Sequence, residues 1–234
     1  MCNQLKVVFF KFRNFWIFYV GIVGLAGVGA AHGYIKLAGQ GAKNGIYEAF
    51  AGTICDTSFL FLLSLIAAWF IGNDFSNRTI HNEITTGCSR LSVLFVRELP
   101  VFLFAVILHT IYIFSTVIGV GIKAGFSFAL FTKRDVLWGI VVLLQLLAIQ
   151  TLVVLITFIC AKVSAAIAVS VCFTFVACNV LRNYFDGKIF TSSCFCLAQN
   201  NLSKTLIPAG VTALATLIIT VIVTYLVFRK KEIK

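Results

Sequence analysis

Few residues in this chain have the type and setting to do chemistry. His109 is the one ionisable residue deep inside an apolar run. A lone histidine needs a partner carboxylate to relay protons, or further ligands to hold a metal. Without them its expected role is structural. Gln145 and Gln150 share another apolar run, where amides serve interhelical hydrogen bonds. The eight cysteines contain no CxxC pair, which argues against a metal or dithiol site. Cys160, Cys172 and Cys178 lie in apolar runs and behave there as small hydrophobes. Cys194 and Cys196 fall in an outer loop near the level of Cys55, and free thiols are a simpler reading there than a disulfide. No HExxH, GxSxG or intramembrane aspartate pair occurs, so an intramembrane enzyme lacks its groups. No GxxxxGK[ST] occurs either, so ATP is not bound here by a P-loop.

The polar stretch from residue 74 to 90 carries more information. Asp74 or Ser76 can cap a helix start, and Ile80 and Ile84 then share one face a turn apart. Thr85 and Thr86 weaken the helix, and Gly87 can end it in a left-handed conformation. Ser89 can cap a second helix that leads through Leu91, Val93, Leu94 and Phe95 into the next apolar run. The expected shape is a short helix over 76–86, a sharp turn and an amphipathic lead-in. Such a helix suits docking in a partner's groove, and an ordinary surface loop is the other reading.

The elements that must position this segment are membrane spans. Hydrophobic residues make up 60% of the chain and charged residues only 12%. Soluble domains carry about 25% charge, so the surplus apolar surface must face lipid. A span needs ~20 apolar residues, and the pattern predicts six, at 15–31, 55–72, 99–121, 136–161, 165–181 and 208–228. Residues 1–14 read as an interfacial helix, with Leu5, Val8, Phe9 and Phe12 at helical spacing among Lys6, Lys11 and Arg13. Gly21, Gly24 and Gly27 in the first span, with a Gly29/Gly33 GxxxG pair, predict close helix packing. Pro100 is expected in a first helical turn, and Pro208 is expected to open the last span. The interiors of these spans hold no Asp, Glu, Lys or Arg by this reading, and Asp56 sits at an outer edge. Ion-coupled transport and voltage sensing therefore lack their usual groups.

Charge then sets orientation. The segments 1–14, 73–98, 161–164 and 229–234 hold 11 Lys+Arg in 50 residues, against 8 in 62 for the opposite loops. Both termini are thus expected on the cytoplasmic side of the cell membrane. The net charge of +11 is spread over loops and ends, which excludes a nucleic-acid surface and points to lipid head groups. The whole reads as one all-α polytopic domain.

The 74–90 segment resembles the loop between the second and third spans of ABC-2 type transporter permeases. Thr79, Ile80, Asn82, Ile84, Gly87, Ser89 and Arg90 stand at matching places, with Arg78 where glycine is usual and His81 near the usual lysine. The layout of the chain agrees: an interfacial helix, six spans, a tight fourth-to-fifth turn and a half-apolar loop before the last span. The resemblance implies a permease without an ATP site of its own. ATP and Mg would be bound by separate cytoplasmic ATPase subunits, two of them, working with a second permease copy or homologue. The short helix would be a cytoplasmic coupling helix. Its docking residues would be Asp74, Phe75, Arg78, Thr79, Ile80, Asn82, Glu83, Ile84, Gly87, Ser89 and Arg90. The cargo would be amphipathic or hydrophobic, with antimicrobial or toxin peptides as one class. A scaffold or sensor subunit that transports nothing is the alternative.

Overall fold

The computed structural model describes residues 2–37, 45–54, 56, 59–127, 131–176 and 202–231. Among them it contains nine α-helices, a short π-helical turn and no strand. The helix α1 (Cys2–Arg13) precedes α2 (Trp16–His32), whose end tightens into the π turn Gly33–Leu37. Then come α3 (Gly45–Ile54), α4 (Leu60–Ser76), α5 (Thr79–Thr85), α6 (Arg90–Ala124), α7 (Lys133–Cys160), α8 (Val163–Phe175) and α9 (Leu202–Lys230).

Four stretches are long and apolar enough to cross a membrane: Trp16–Ile35, Arg90–Lys123, Lys133–Cys160 and Leu206–Lys230. Helices α4 and α5 form a fifth if counted as one span bent by 56°. The fifth predicted span, 165–181, corresponds here to α8, whose 13 described residues are too short to cross alone. Large apolar side chains point outward along these helices, among them Val23, Phe114, Ile140 and Ile222, while threonines and glutamines turn inward. That inside-out distribution is the signature of a helical membrane protein.

Periodicity explains the packing. In α2 and its π extension the inward positions are Phe18, Gly21, Leu25, Gly29 and Gly33, repeating every three or four residues. They lie against α6. A Cβ at Gly33 would stand 2.2 Å from the Thr116 carbonyl oxygen, and one at Gly29 would stand 2.0 Å from Ser115 Oγ. Gly119 of α6 returns the fit, since a Cβ there would lie 2.3 Å from the Ala30 carbonyl oxygen. Gly24 and Gly27 behave differently from expectation: nothing lies within 4 Å of where their Cβ atoms would be. They fall on the opposite side of α2, because a three-residue spacing drifts off a face that repeats every 3.6 residues.

Small and polar residues also line the inner face of α9, with Ala209, Ala213, Thr216, Thr220 and Thr224 buried and Phe228 closing the end. Phe228 meets Phe158 of α7 edge-on at 5.0 Å. Helix α8 packs on α4, where Thr174 donates to Ser64 at 2.9 Å. An aromatic knot binds α1 to the bundle: Phe104 of α6 stacks on Phe12 at 4.5 Å and meets Phe18 and Phe70 at 4.8 and 5.1 Å.

Several boundaries differ from those the sequence predicts. Helix α4 runs on to Ser76 instead of ending at residue 72, so Asp74 lies within it and caps nothing. Helix α6 starts at Arg90, which makes the amphipathic lead-in and the span one 35-residue rod with Pro100 in its interior. At ~1.5 Å per residue this rod measures roughly 50 Å, well beyond a ~30 Å hydrocarbon core. Pro208 is likewise inside α9. The possible disulfide of Cys55 with Cys194 or Cys196, and most of the loop before α9, lie outside the described residues.

Candidate functional site

The segment 74–90 is held by a four-membered ion network at one end of the bundle. Arg97 of α6 donates two parallel hydrogen bonds to Glu83 of α5, each 2.8 Å long. This is the fork geometry that makes guanidinium–carboxylate pairs directional. Arg97 Nε also lies 3.2 Å from Asp74 Oδ2, close enough for ion pairing but without hydrogen-bond geometry. Lys11 of α1 completes the set by donating to Asp74 Oδ1 at 2.5 Å and to the Phe70 carbonyl at 3.1 Å. Two cations thus face two anions, and Arg97 and Asp74 are almost wholly buried.

The same end carries two helix-terminus clamps. Arg90 donates to the carbonyls of Phe228, Arg229 and Lys231 at the close of α9. Lys231 in turn donates to the carbonyls of Phe158 and Ile159 at 2.8 and 2.7 Å. Basic side chains satisfy the orphan carbonyls of a helix C-terminus and the negative end of its dipole. Partial burial there lowers the pKa of the Lys231 ammonium below the usual lysine value. Residues from 2–14, 73–98, 158–162 and 229–231 therefore meet at one end of the molecule.

This framework divides the predicted docking residues into two sets. Asp74, Ile80 and Glu83 turn inward, Ile80 being 1% exposed, and half-buried Ile84 packs on the main core. Phe75 is half-buried and meets Phe158 edge-on at 5.2 Å. Arg90 is committed to α9, and Thr79 is half-buried. Arg78, Asn82, Gly87 and Ser89 are exposed, joined by Ser76, Asn77, Thr85 and Thr86. Arg78 adopts a left-handed backbone (φ 56°) at the break between α4 and α5, and Gly87 does the same (φ 92°) after α5. Both are the means by which the chain turns sharply. Ser89 accepts from the Ser92 N–H and so caps α6.

Sequence reasoning missed Lys11 and Arg97 and placed no charge inside the helical cores. The structure corrects this: Asp74, Arg97 and Glu98 are all buried within α4 and α6. The signal was present in the Arg97-Glu98 pair, set in the apolar run Leu91–Val93–Phe95 and Leu99–Phe104, since buried ionic residues in such runs are rarely idle. Asp56 accepts a 2.6 Å hydrogen bond from Tyr112. Gln145 and Gln150 are buried. His109 is 2% exposed and stacked on Phe59 at 5.1 Å, and neither of its ring nitrogens has a hydrogen-bond partner. Compared with known proteins, the chain matches no family model, no curated protein and no solved structure.

Proposed function

We propose that the chain is the permease subunit of an ATP-driven ABC exporter and that the exposed face of α5 receives a separate cytoplasmic ATPase. The observation that carries this reading is the mounting of α5. It is a seven-residue helix set at 56° to α4, gripped from inside by Ile80 and the Glu83–Arg97 fork, and polar on its free face. A helix so tied to α4 and α6 cannot be pushed without moving both, which is what a partner's closure must do to drive alternating access. A chain without a nucleotide motif needs such an external drive.

In this reading the six predicted spans cross the cell membrane, with α4 supplying the second and α5 lying on the cytoplasmic side beyond it. Both termini face the cytoplasm, as the basic residues at that end favour. Two ATPases bind ATP and Mg and act on two permease copies or on this chain with a homologue. The cargo is an amphipathic or hydrophobic compound, of which antimicrobial peptides are one class.

The test is co-purification from the native host. An epitope-tagged chain extracted in mild detergent should bring down a P-loop ATPase in stoichiometric amount. Asn82→Trp or Thr85→Arg, both on the free face, should abolish that association while membrane levels stay unchanged. Recovery of the chain without an ATPase, or an association indifferent to both substitutions, would overturn the proposal and favour a scaffold role.

A further inference from the structure

A groove of about 330 Å³ opens between α3, α6 and the first half of α7. The far end of α7 is the one that reaches the charged cluster, so the groove lies toward the opposite face of the membrane. Ile54 of α3 is buried at its floor, whereas Phe114 of α6 and Val136 of α7 are 62% and 66% exposed along its open side. Both helices are long and apolar enough to be spans, so that side faces lipid hydrocarbon. Phe50, Ile113 and Leu143 complete an apolar wall. The few polar groups that reach it make no demand on a ligand. Thr110 donates back to the Val106 carbonyl at 2.7 Å, and the His109 ring nitrogens are buried out of reach. The Asp135 carboxylate is spent on the Thr132 N–H, the Thr132 hydroxyl and the Tyr47 hydroxyl.

Depth and charge name the occupant. Helix α7 begins at Lys133, one turn before Val136, and the groove runs on past Gly139 to Leu143. At ~1.5 Å per residue Lys133 and Leu143 are roughly 15 Å apart along the axis, half of a ~30 Å hydrocarbon core and hence the depth of one leaflet. Lys133 and Arg134 are both exposed at the level where head groups lie, and neither has a hydrogen-bond or ion-pair partner among the described residues. Lys123, the cation that ends α6, is already engaged over the Tyr34 ring at 5.2 Å. Glu48 projects from α3 on the side away from Phe50, since two residues turn a helix by about 200°. Two free cations thus crown an apolar groove one leaflet deep. We infer that the groove holds an acyl chain of an anionic phospholipid whose phosphate rests on Lys133 and Arg134. The binding belongs to this chain by itself and does not depend on an ATPase docking at α5.

Trp138 provides the readout, because it adjoins Gly139 and its ring meets Phe50 edge-on at 6.0 Å. The full chain carrying Trp16→Phe and Trp69→Phe, with Trp138 as its only indole, is reconstituted in phosphatidylcholine bilayers. Acyl-brominated phosphatidylglycerol replaces the host lipid in steps, and acyl-brominated phosphatidylcholine does so in a parallel series. Quenching by the anionic lipid should saturate at a lower fraction than quenching by the zwitterionic one. Lys133→Gln and Arg134→Gln should each lower that preference about fivefold, the worth of one cation near a charged head group, and the double variant should show none. Gly139→Leu should reduce the maximal quenching by both lipids, since a Cβ there meets only Ile54 Cδ1 at 3.7 Å and leaves room for the side chain to fill the groove. Should that variant fail to reconstitute, the glutamine variants still decide. Equal quenching by the two lipids in the parent reports ordinary boundary lipid and overturns the inference. So does a preference that survives the double glutamine variant, or anionic-lipid quenching that Gly139→Leu leaves undiminished.

Discussion

Arg97 holds together three helices through one planar group. Its bidentate grip on Glu83 and its contact with Asp74 leave each carboxylate balanced by a cation, with Lys11 taking the outer oxygen of Asp74. Removing one partner of a buried set strands the other, which costs about 3–5 kcal/mol, whereas replacing both by apolar residues is often nearly neutral. Arg97→Ala should therefore lower the detergent melting temperature strongly, and adding Glu83→Ala should recover part of the loss. Equal melting temperatures for the parent and Arg97→Ala would show that the network contributes little. Lysine at position 97 should not substitute fully, because an ammonium is a point charge and cannot supply the parallel pair to Glu83.

Among the elements, the crossing of α2 on α6 is set by glycine at the points where backbone meets backbone. A methyl at Gly33 collides with a carbonyl oxygen at 2.2 Å, and a backbone atom cannot turn aside as a side chain can. Overpacking of this kind costs about 1–3 kcal/mol. Gly33→Ala should thus reduce thermal stability and the yield of monodisperse protein, while Gly24→Leu should leave both unchanged. A Gly24→Leu variant that aggregates or melts early would mean that this face of α2 is covered in the assembled protein. Helix α5 offers a parallel contrast. Ile80→Asp should destabilise the fold by burying an unpaired charge, and Asn82→Asp on the free face should not. Thermal melting followed by size exclusion distinguishes the two.

For the molecule as a whole, the basic residues Lys11, Arg90 and Lys231 draw α1, the α5–α6 turn, the α7–α8 turn and the end of α9 to a common end. Reporter fusions at residue 1 and at residue 234 should accordingly report the same side of the membrane, the cytoplasmic one. Opposite sides would contradict the arrangement. Membrane residence, helical class and the approximate position of the long spans are determined by composition and hydropathy alone, because ~20 apolar residues without charge have no stable place but lipid. The left-handed turn at Gly87 and the Ser89 cap were equally legible, since each depends on local backbone chemistry. The pairing of Lys11 with Asp74 and of Glu83 with Arg97 was not, because residues 63 and 14 positions apart meet only once α1, α4, α5 and α6 pack. Nor could the sequence tell Gly33 from Gly24, or a satisfied His109 from an unpartnered one. Those distinctions depend on which neighbour occupies the facing side of a helix, and only the tertiary structure decides that.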